Sequence, residues 1–211
     1  MTSKAKTLYL WDLAGTLFPE EWNKEKSGFE TYKDYVVSLG KNPDNPCEWA
    51  ESEKETYLKD WYNLGVAPYF RETLKWTKYN ETFSTGVPEA MDWRAAYLNP
   101  RVGFDIQSYF QKINSTFDYG ETNTKTKEML IDYMQKKYDQ EYKTIVCTDD
   151  KQKNLDAFKE AAEEIKKNHP DFSYRLYYIL NDNNGLRKEK DYFIVGNLFD
   201  LLENKKKSHL M

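Results

Sequence analysis

Residues 8–18 read Leu8-Tyr9-Leu10-Trp11-Asp12-Leu13-Ala14-Gly15-Thr16-Leu17-Phe18. The apolar run before Asp12 has no polar alternation, which fits a strand buried on both faces, and Gly15 marks the loop that follows. A second run of this kind, Thr144-Ile145-Val146-Cys147-Thr148, ends on Asp149 and Asp150. In a parallel α/β sheet ligands gather at the carboxyl ends of strands, because loops and helix N-termini converge there. Asp12, Asp149 and Asp150 are therefore candidate site residues. Three carboxylates brought together repel one another unless a divalent cation lies among them, and an all-oxygen donor set favours magnesium. For Asp150 a helix N-cap is an equally good reading.

Outward from these two strands the chain alternates. Helical spacing is read over 126–138 and 152–167, with strands over 142–148 and 174–180. Upstream, a helix is expected over 70–76, a short strand over 81–84 ending at Ser84-Thr85-Gly86, and a helix over 88–98 with Pro88 in its first turn. A weak apolar segment spans 110–117, and a final strand over 192–195 leads into a helix over 198–203. Such alternation predicts an α/β fold, a Rossmann-like parallel sheet with helices on both faces. Residues 19–68 break the pattern. They are charged and aromatic, with one helix expected around Phe29, Tyr32, Tyr35, Val36 and Leu39, closed by Gly40, and a second over 47–64. The reading is a core of 1–18 and 69–211 with a small α-helical cap, 19–68, inserted after the first strand; 19–26 and 64–69 would be its hinges.

Bulk properties fit one such domain. The chain has 211 residues, net charge −4 and 31% charged residues, so nothing global favours a nucleic-acid backbone or an anionic membrane. No signal peptide or membrane span is read, and the two cysteines, Cys47 and Cys147, suit free thiols in the cytoplasm. The 17 Tyr, 11 Phe and 6 Trp are an excess that calls for a core or a ligand.

The stretch from Asp12 to Phe18 resembles the first motif of the haloacid dehalogenase-like superfamily, usually Asp-x-Asp-Gly-Thr. Thr148-Asp149-Asp150, ahead of a helix with Asn154, Ala157 and Phe158, is similar to its fourth motif. Ser84-Thr85-Gly86 resembles the second, and Phe117-Asp118-Tyr119-Gly120 followed by Lys125 resembles the approach to the third. The resemblance spans nearly the whole chain and is weaker at the middle two motifs. It implies a magnesium-dependent hydrolase in which Asp12 is the nucleophile for phosphoryl or phosphonyl transfer. Magnesium would be held by Asp12, the backbone carbonyl of Ala14, and Asp149, with Asp150 as an alternate. Ser84 or Thr85 would bind a phosphoryl oxygen, with backbone amides near Leu13, Ala14 and Gly86, and Lys125 or Lys127 would supply the positive charge. The substrate would be a small phosphorylated metabolite or a nucleotide.

The chain departs from the family pattern at Ala14, where phosphatases of the superfamily carry an aspartate that protonates the leaving oxygen. General acid–base catalysis contributes about 10² to 10⁴ in rate. Three readings follow. The substrate needs no acid, as in phosphonoacetaldehyde hydrolases of the superfamily, where a cap lysine acts; Lys33, Lys41, Lys54 and Lys59 are the candidates. The protein binds magnesium and phosphate without useful turnover. Or Ala14 is an engineered change in a phosphatase.

Overall fold

The computed structural model describes residues 6–45, 48–49, 51–52, 54, 61–87, 89–120, 124–181, 185–189 and 191–208. Seven strands form one sheet in the order β5-β4-β1-β6-β7-β9-β8. They are β1 (Lys6–Trp11), β4 (Asn80–Ser84), β5 (Lys112–Ser115), β6 (Tyr142–Asp149), β7 (Ser173–Ile179), β8 (Arg187–Lys188) and β9 (Phe193–Val195). All neighbours pair in parallel except the edge pair β8 and β9.

The unbroken apolar runs are explained by burial on both faces. From β1, Leu8 and Leu10 enter one core and Tyr9 and Trp11 the other; from β6, Ile145 and Cys147 enter the first and Val146 the second. The first face is covered by Met129, Leu130 and Tyr133 together with Leu155, Phe158 and Ile165. These lie on the helices Lys127–Asp139 and Gln152–Asn168, called α5 and α6 below. The second face is covered by Phe70, Leu74, Met91, Leu98, Leu198 and Leu201. They come from α3 (Phe70–Thr77), α4 (Ala90–Val102) and α7 (Leu198–Ser208). Helices on both faces are the reason a strand here needs no polar side.

Between β1 and α3 the chain makes an excursion. It contains α1 (Lys24–Ser27) and α2 (Tyr32–Ser38), and a separate two-stranded ribbon of β2 (Glu20–Trp22) against antiparallel β3 (Tyr62–Leu64). Its own apolar cluster is Tyr32, Tyr35 and Val36 with Trp22, Phe29, Trp49, Trp61 and Tyr62. The α2 helix starts at a capping box, Thr31 with Asp34, as its sequence permits. The expected single helix over 47–64 is corrected at its end. Positions 48, 49, 51, 52 and 54 are helical, but Tyr62–Leu64 is a strand. Its partner lies in the stretch read as a hinge. The helical spacing of Trp61 was misleading because Trp61, next to the ribbon, and Tyr62, in it, both pack on Trp22, with ring centroids 6.0 and 5.3 Å away. Cys47, Lys59 and Pro88 lie outside the described residues.

One buried polar cluster holds β4 to α5. The Glu81 carboxylate accepts from Lys137 Nζ at 2.6 Å, Tyr133 OH at 2.8 Å and Asn114 Nδ2 at 3.1 Å. Burial and Glu81 push the Tyr133 hydroxyl well above its usual pKa. Lys137→Met would leave that carboxylate buried without its ammonium, so unfolding in urea should show a loss of about 3–5 kcal/mol. A loss below about 1 kcal/mol would mean that water reaches Glu81.

Candidate active site

Three adjacent parallel strands of the sheet, β4, β1 and β6, carry the site at their carboxyl ends. After β1 the backbone continues one more rung, Asp12 N donating to Thr148 O at 3.0 Å, and then turns. The turn is closed by Leu17 N and Phe18 N donating to Leu13 O at 3.0 and 2.9 Å, and by Gly15 N donating to Phe18 O at 2.9 Å. Glycine is required at its tip. Gly15 has φ of +78°, and a Cβ there would come within 2.2 Å of Asp150 Oδ2. The side-chain amide of Asn181 donates to Gly15 O from the β7 side.

Asp12 is 5% exposed at the floor of this arrangement. Lys125, itself 3% exposed, donates through Nζ to Asp12 Oδ1 at 2.8 Å and to Asp149 Oδ2 at 2.6 Å. Asp149 is further held by Asn154 Nδ2, 3.0 Å from each oxygen, and by Lys151 N at 2.9 Å from Oδ1. Its oxygens are thus well supplied with donors. Asp150 differs: its Oδ1 is buried without a hydrogen-bond partner among the described residues. It does not cap α6, whose N-cap is Lys151 with no side-chain bond. Oxygen atoms of Asp12, Asp149 and Asp150 lie within 4.8 Å of one another.

Electrostatics follow from that crowding. Burial, then the Asp149 carboxylate, raises the Asp12 pKa to about 7 against the opposing pull of Lys125. Burial also raises Asp150. For Lys125 burial acts downward, but the Asp12 and Asp149 carboxylates outweigh it and hold the ammonium charged. Cys147, just behind, is a buried free thiol pushed well up by burial and by Asp149.

Above Asp12 opens a cavity of about 310 Å³. Its core-side walls are Asp12, Ala14, Ser84, Thr85, Gly86 and Asn154. Ser84 Oγ accepts from Gly86 N at 2.9 Å, which leaves its hydroxyl proton to be donated elsewhere. The loop after β4 is tied to β5 by the Ser115 hydroxyl donating to Gly86 O. The lining also takes in Tyr32, Trp49 and Tyr62 from the excursion, Arg94, which is 3% exposed, from α4, and Lys151 and Lys153 at the start of α6. Arg94 Nε donates to Glu20 Oε1 at 2.6 Å, a buried ion pair between α4 and β2.

No protein-family model and no curated protein sequence matches this chain. Solved structures do. The Unknown transcript 4 protein of Saccharomyces cerevisiae superimposes with a TM-score of 0.54 at 14% identity, covering 91% of this chain and 98% of that one. A predicted phosphoglycolate phosphatase of Haemophilus somnus gives 0.58 at 12% identity, covering 95% and 98%. A HAD family enzyme of Bacteroides thetaiotaomicron gives 0.49 at 15%, covering 82% and 94%. The chain has a haloacid dehalogenase-like fold.

On this haloacid dehalogenase-like frame the residues singled out from sequence divide clearly. Asp12, Ala14, Ser84, Thr85 and Gly86 share the cavity; Lys125, Asp149 and Asp150 stand against Asp12 from behind. Leu13 turns its side chain into the core and is 1% exposed. Of the two lysines, Lys125 reaches Asp12; Lys127 opens α5 on the outer surface, beside Glu160 and Glu164. Lys33 lies over the Trp49 ring, Lys41 on Glu51 and Lys54 over Trp93, and none of the three lines the cavity. Sequence reasoning missed Asn154 as a clamp on Asp149, and also Asn181 and Arg94. Asn154 carried a signal, an amide in the first turn of a helix following two aspartates. Arg94 and Asn181 carried none, since their partners are 74 and 166 residues away.

Proposed function

We propose that this protein is a magnesium-dependent hydrolase of small phosphorylated compounds that transfers a phosphoryl group to Asp12. The observation that carries the reading is Lys125 bridging Asp12 and Asp149 beneath a cavity walled by Ser84 and Thr85. The carboxylate of Asp12 attacks phosphorus, and Lys125 both orients that carboxylate and offsets its charge. Ser84, whose oxygen already accepts from Gly86 N, donates its proton to a phosphoryl oxygen. The excursion at 19–68 acts as a cap that covers the cavity and limits water, and the buried Cys147 thiol accords with a cytoplasmic setting.

The donor set fits magnesium. All three side chains offer oxygen, three carboxylates face one buried ammonium, and Asp150 Oδ1 is without a partner among the described residues. Asp12, Asp150 and the Ala14 carbonyl would hold the ion, with Asp149 engaged chiefly by Lys125 and Asn154. When bound, it would offset repulsion between the attacking carboxylate and the phosphoryl dianion.

Ala14 favours a second reading, in which magnesium and phosphate bind but turn over little. Titration calorimetry and turnover of acetyl phosphate test the proposal together. One magnesium per chain and release of phosphate that stops with a chelator are expected. Neither binding nor turnover would overturn it.

A further inference from the structure

We infer that the substrates are aryl phosphate monoesters, with the ring against Trp49, Tyr32 and Tyr62 and the phenolate leaving without a proton donor at position 14; this presupposes the phosphoryl transfer to Asp12 proposed above. Two independent features meet in one cavity. The first is the missing acid. Among the described residues lining it, Asp12 is the one carboxylic acid, and there is no histidine. Arg94 is fixed by Glu20 and the Ala90 carbonyl and does not release a proton. Besides the nucleophile, the described lining residues offer the leaving oxygen no carboxylic acid and no imidazole; the cavity's other proton-bearing side chains include Lys151, Lys153, Tyr32 and Tyr62. A phenol, with pKa about 10 as in tyrosine, needs such an acid far less than an aliphatic alcohol, whose pKa lies several units higher.

The second feature is the aromatic wall. Tyr32 meets Trp49 edge-on with ring centroids 5.0 Å apart and lies 5.8 Å from Tyr62, and all three line the cavity that holds Asp12 and Ser84. The Trp49 indole Nε1 is buried and has no acceptor among the described residues. A cavity of about 310 Å³ suits a ligand of one ring and one phosphate. The wall alone would admit nucleoside monophosphates, whose leaving group is an alkoxide. The missing acid alone would admit acetyl phosphate, which has no ring. An aryl phosphate satisfies both.

The chemistry balances without a further reactant. Asp12 forms an O–P bond as the P–O(aryl) bond breaks, its electron pair passing to the phenolate, which takes a proton from solvent. Water then attacks the same phosphorus, the P–O(Asp12) bond breaks and the carboxylate is restored. The sum is aryl phosphate and water giving phenol and inorganic phosphate.

Steady-state kinetics with magnesium on phenyl, benzyl and acetyl phosphate separate the terms. Phenyl phosphate should exceed benzyl phosphate at least 100-fold in kcat/KM, since both carry a ring but only one releases a phenolate. Its KM should lie at least tenfold below that of acetyl phosphate. Tyr62→Leu and Trp49→Ala should each raise the phenyl phosphate KM about tenfold relative to that for acetyl phosphate, while Trp49→Phe, which keeps a ring, should not. Far-UV circular dichroism and the melting temperature report that each variant is folded. Benzyl phosphate reacting as well as phenyl phosphate, or a KM ratio unmoved by Tyr62→Leu, would overturn the inference and leave phosphoryl transfer standing. Failure of all three substrates would overturn both.

Discussion

Asp12→Asn should lose phosphate release from acetyl or phenyl phosphate by on the order of 10⁴ or more, and should also melt at a higher temperature than the parent in the presence of a chelator. The loss is that expected when a covalent nucleophile is removed while the binding groups remain. The gain comes from the buried charge. Asp12 is raised to about 7 by burial and by Asp149. A folded-state pKa above the unfolded value favours the folded state at low pH, and that benefit is lost as pH rises through about 7. At pH 8 the ionised carboxylate is therefore a burden on the apo protein, and an amide of the same shape removes it. The stabilisation should be about 1–3 kcal/mol, or roughly 2–10 °C for a chain of this size, and should fade toward pH 5. Lys125 keeps Asp149 as a partner in the variant, so no buried ammonium is stranded. A variant that lost activity but melted lower at pH 8 would mean that Lys125 and Asp12 attract more strongly than Asp12, Asp149 and Asp150 repel.

Ala14→Asp should raise kcat/KM for an alkyl phosphate such as benzyl phosphate by about 10² to 10⁴ and for phenyl phosphate by less than tenfold. Ala14 is half-buried and lines the cavity two residues beyond Asp12, so a carboxyl group there has access to the leaving oxygen. Protonation helps in proportion to the basicity of that oxygen, which is why the two substrates should respond differently. Equal gains for both would place the benefit in the later attack of water. No gain for either would mean that position 14 does not address the leaving group in this chain.

The sheet and the carboxylate end of the site were legible because they rest on local signals. Leu8 to Trp11 and Ile145 to Cys147 are unbroken apolar runs, and each is followed by aspartate, so strand, burial and site position could be read together. Thr126 could be read as the start of a helix and is the N-cap of α5. The choice between Lys125 and Lys127 was not legible. Both precede or open the same helix, and only the path of the chain brings the first within 2.8 Å of Asp12. The ribbon failed for a different reason. Glu20–Trp22 and Tyr62–Leu64 are three residues each, too short for a period-two pattern, and their pairing is set by partners 40 positions away. The role of Asp150 could not be separated from an N-cap without seeing that its Oδ1 has no partner among the described residues and that α6 has no side-chain cap.

That ribbon also bears on how the chain assembles. Trp11 and Asn80 must meet to seat β1 beside β4, and 69 positions separate them. Pairing of β2 with β3, continued by Gly65 N to Pro19 O at 3.1 Å and Ala67 N to Leu17 O at 2.9 Å, pinches the excursion at its neck. The path from β1 to β4 is then cut to roughly a third, which lowers the entropic cost of closing it by about 1 kcal/mol. Formation of the neck ahead of the central sheet would thus speed the β1–β4 encounter, and mutations that weaken Glu20–Trp22 against Tyr62–Leu64 should slow refolding more than they hasten unfolding.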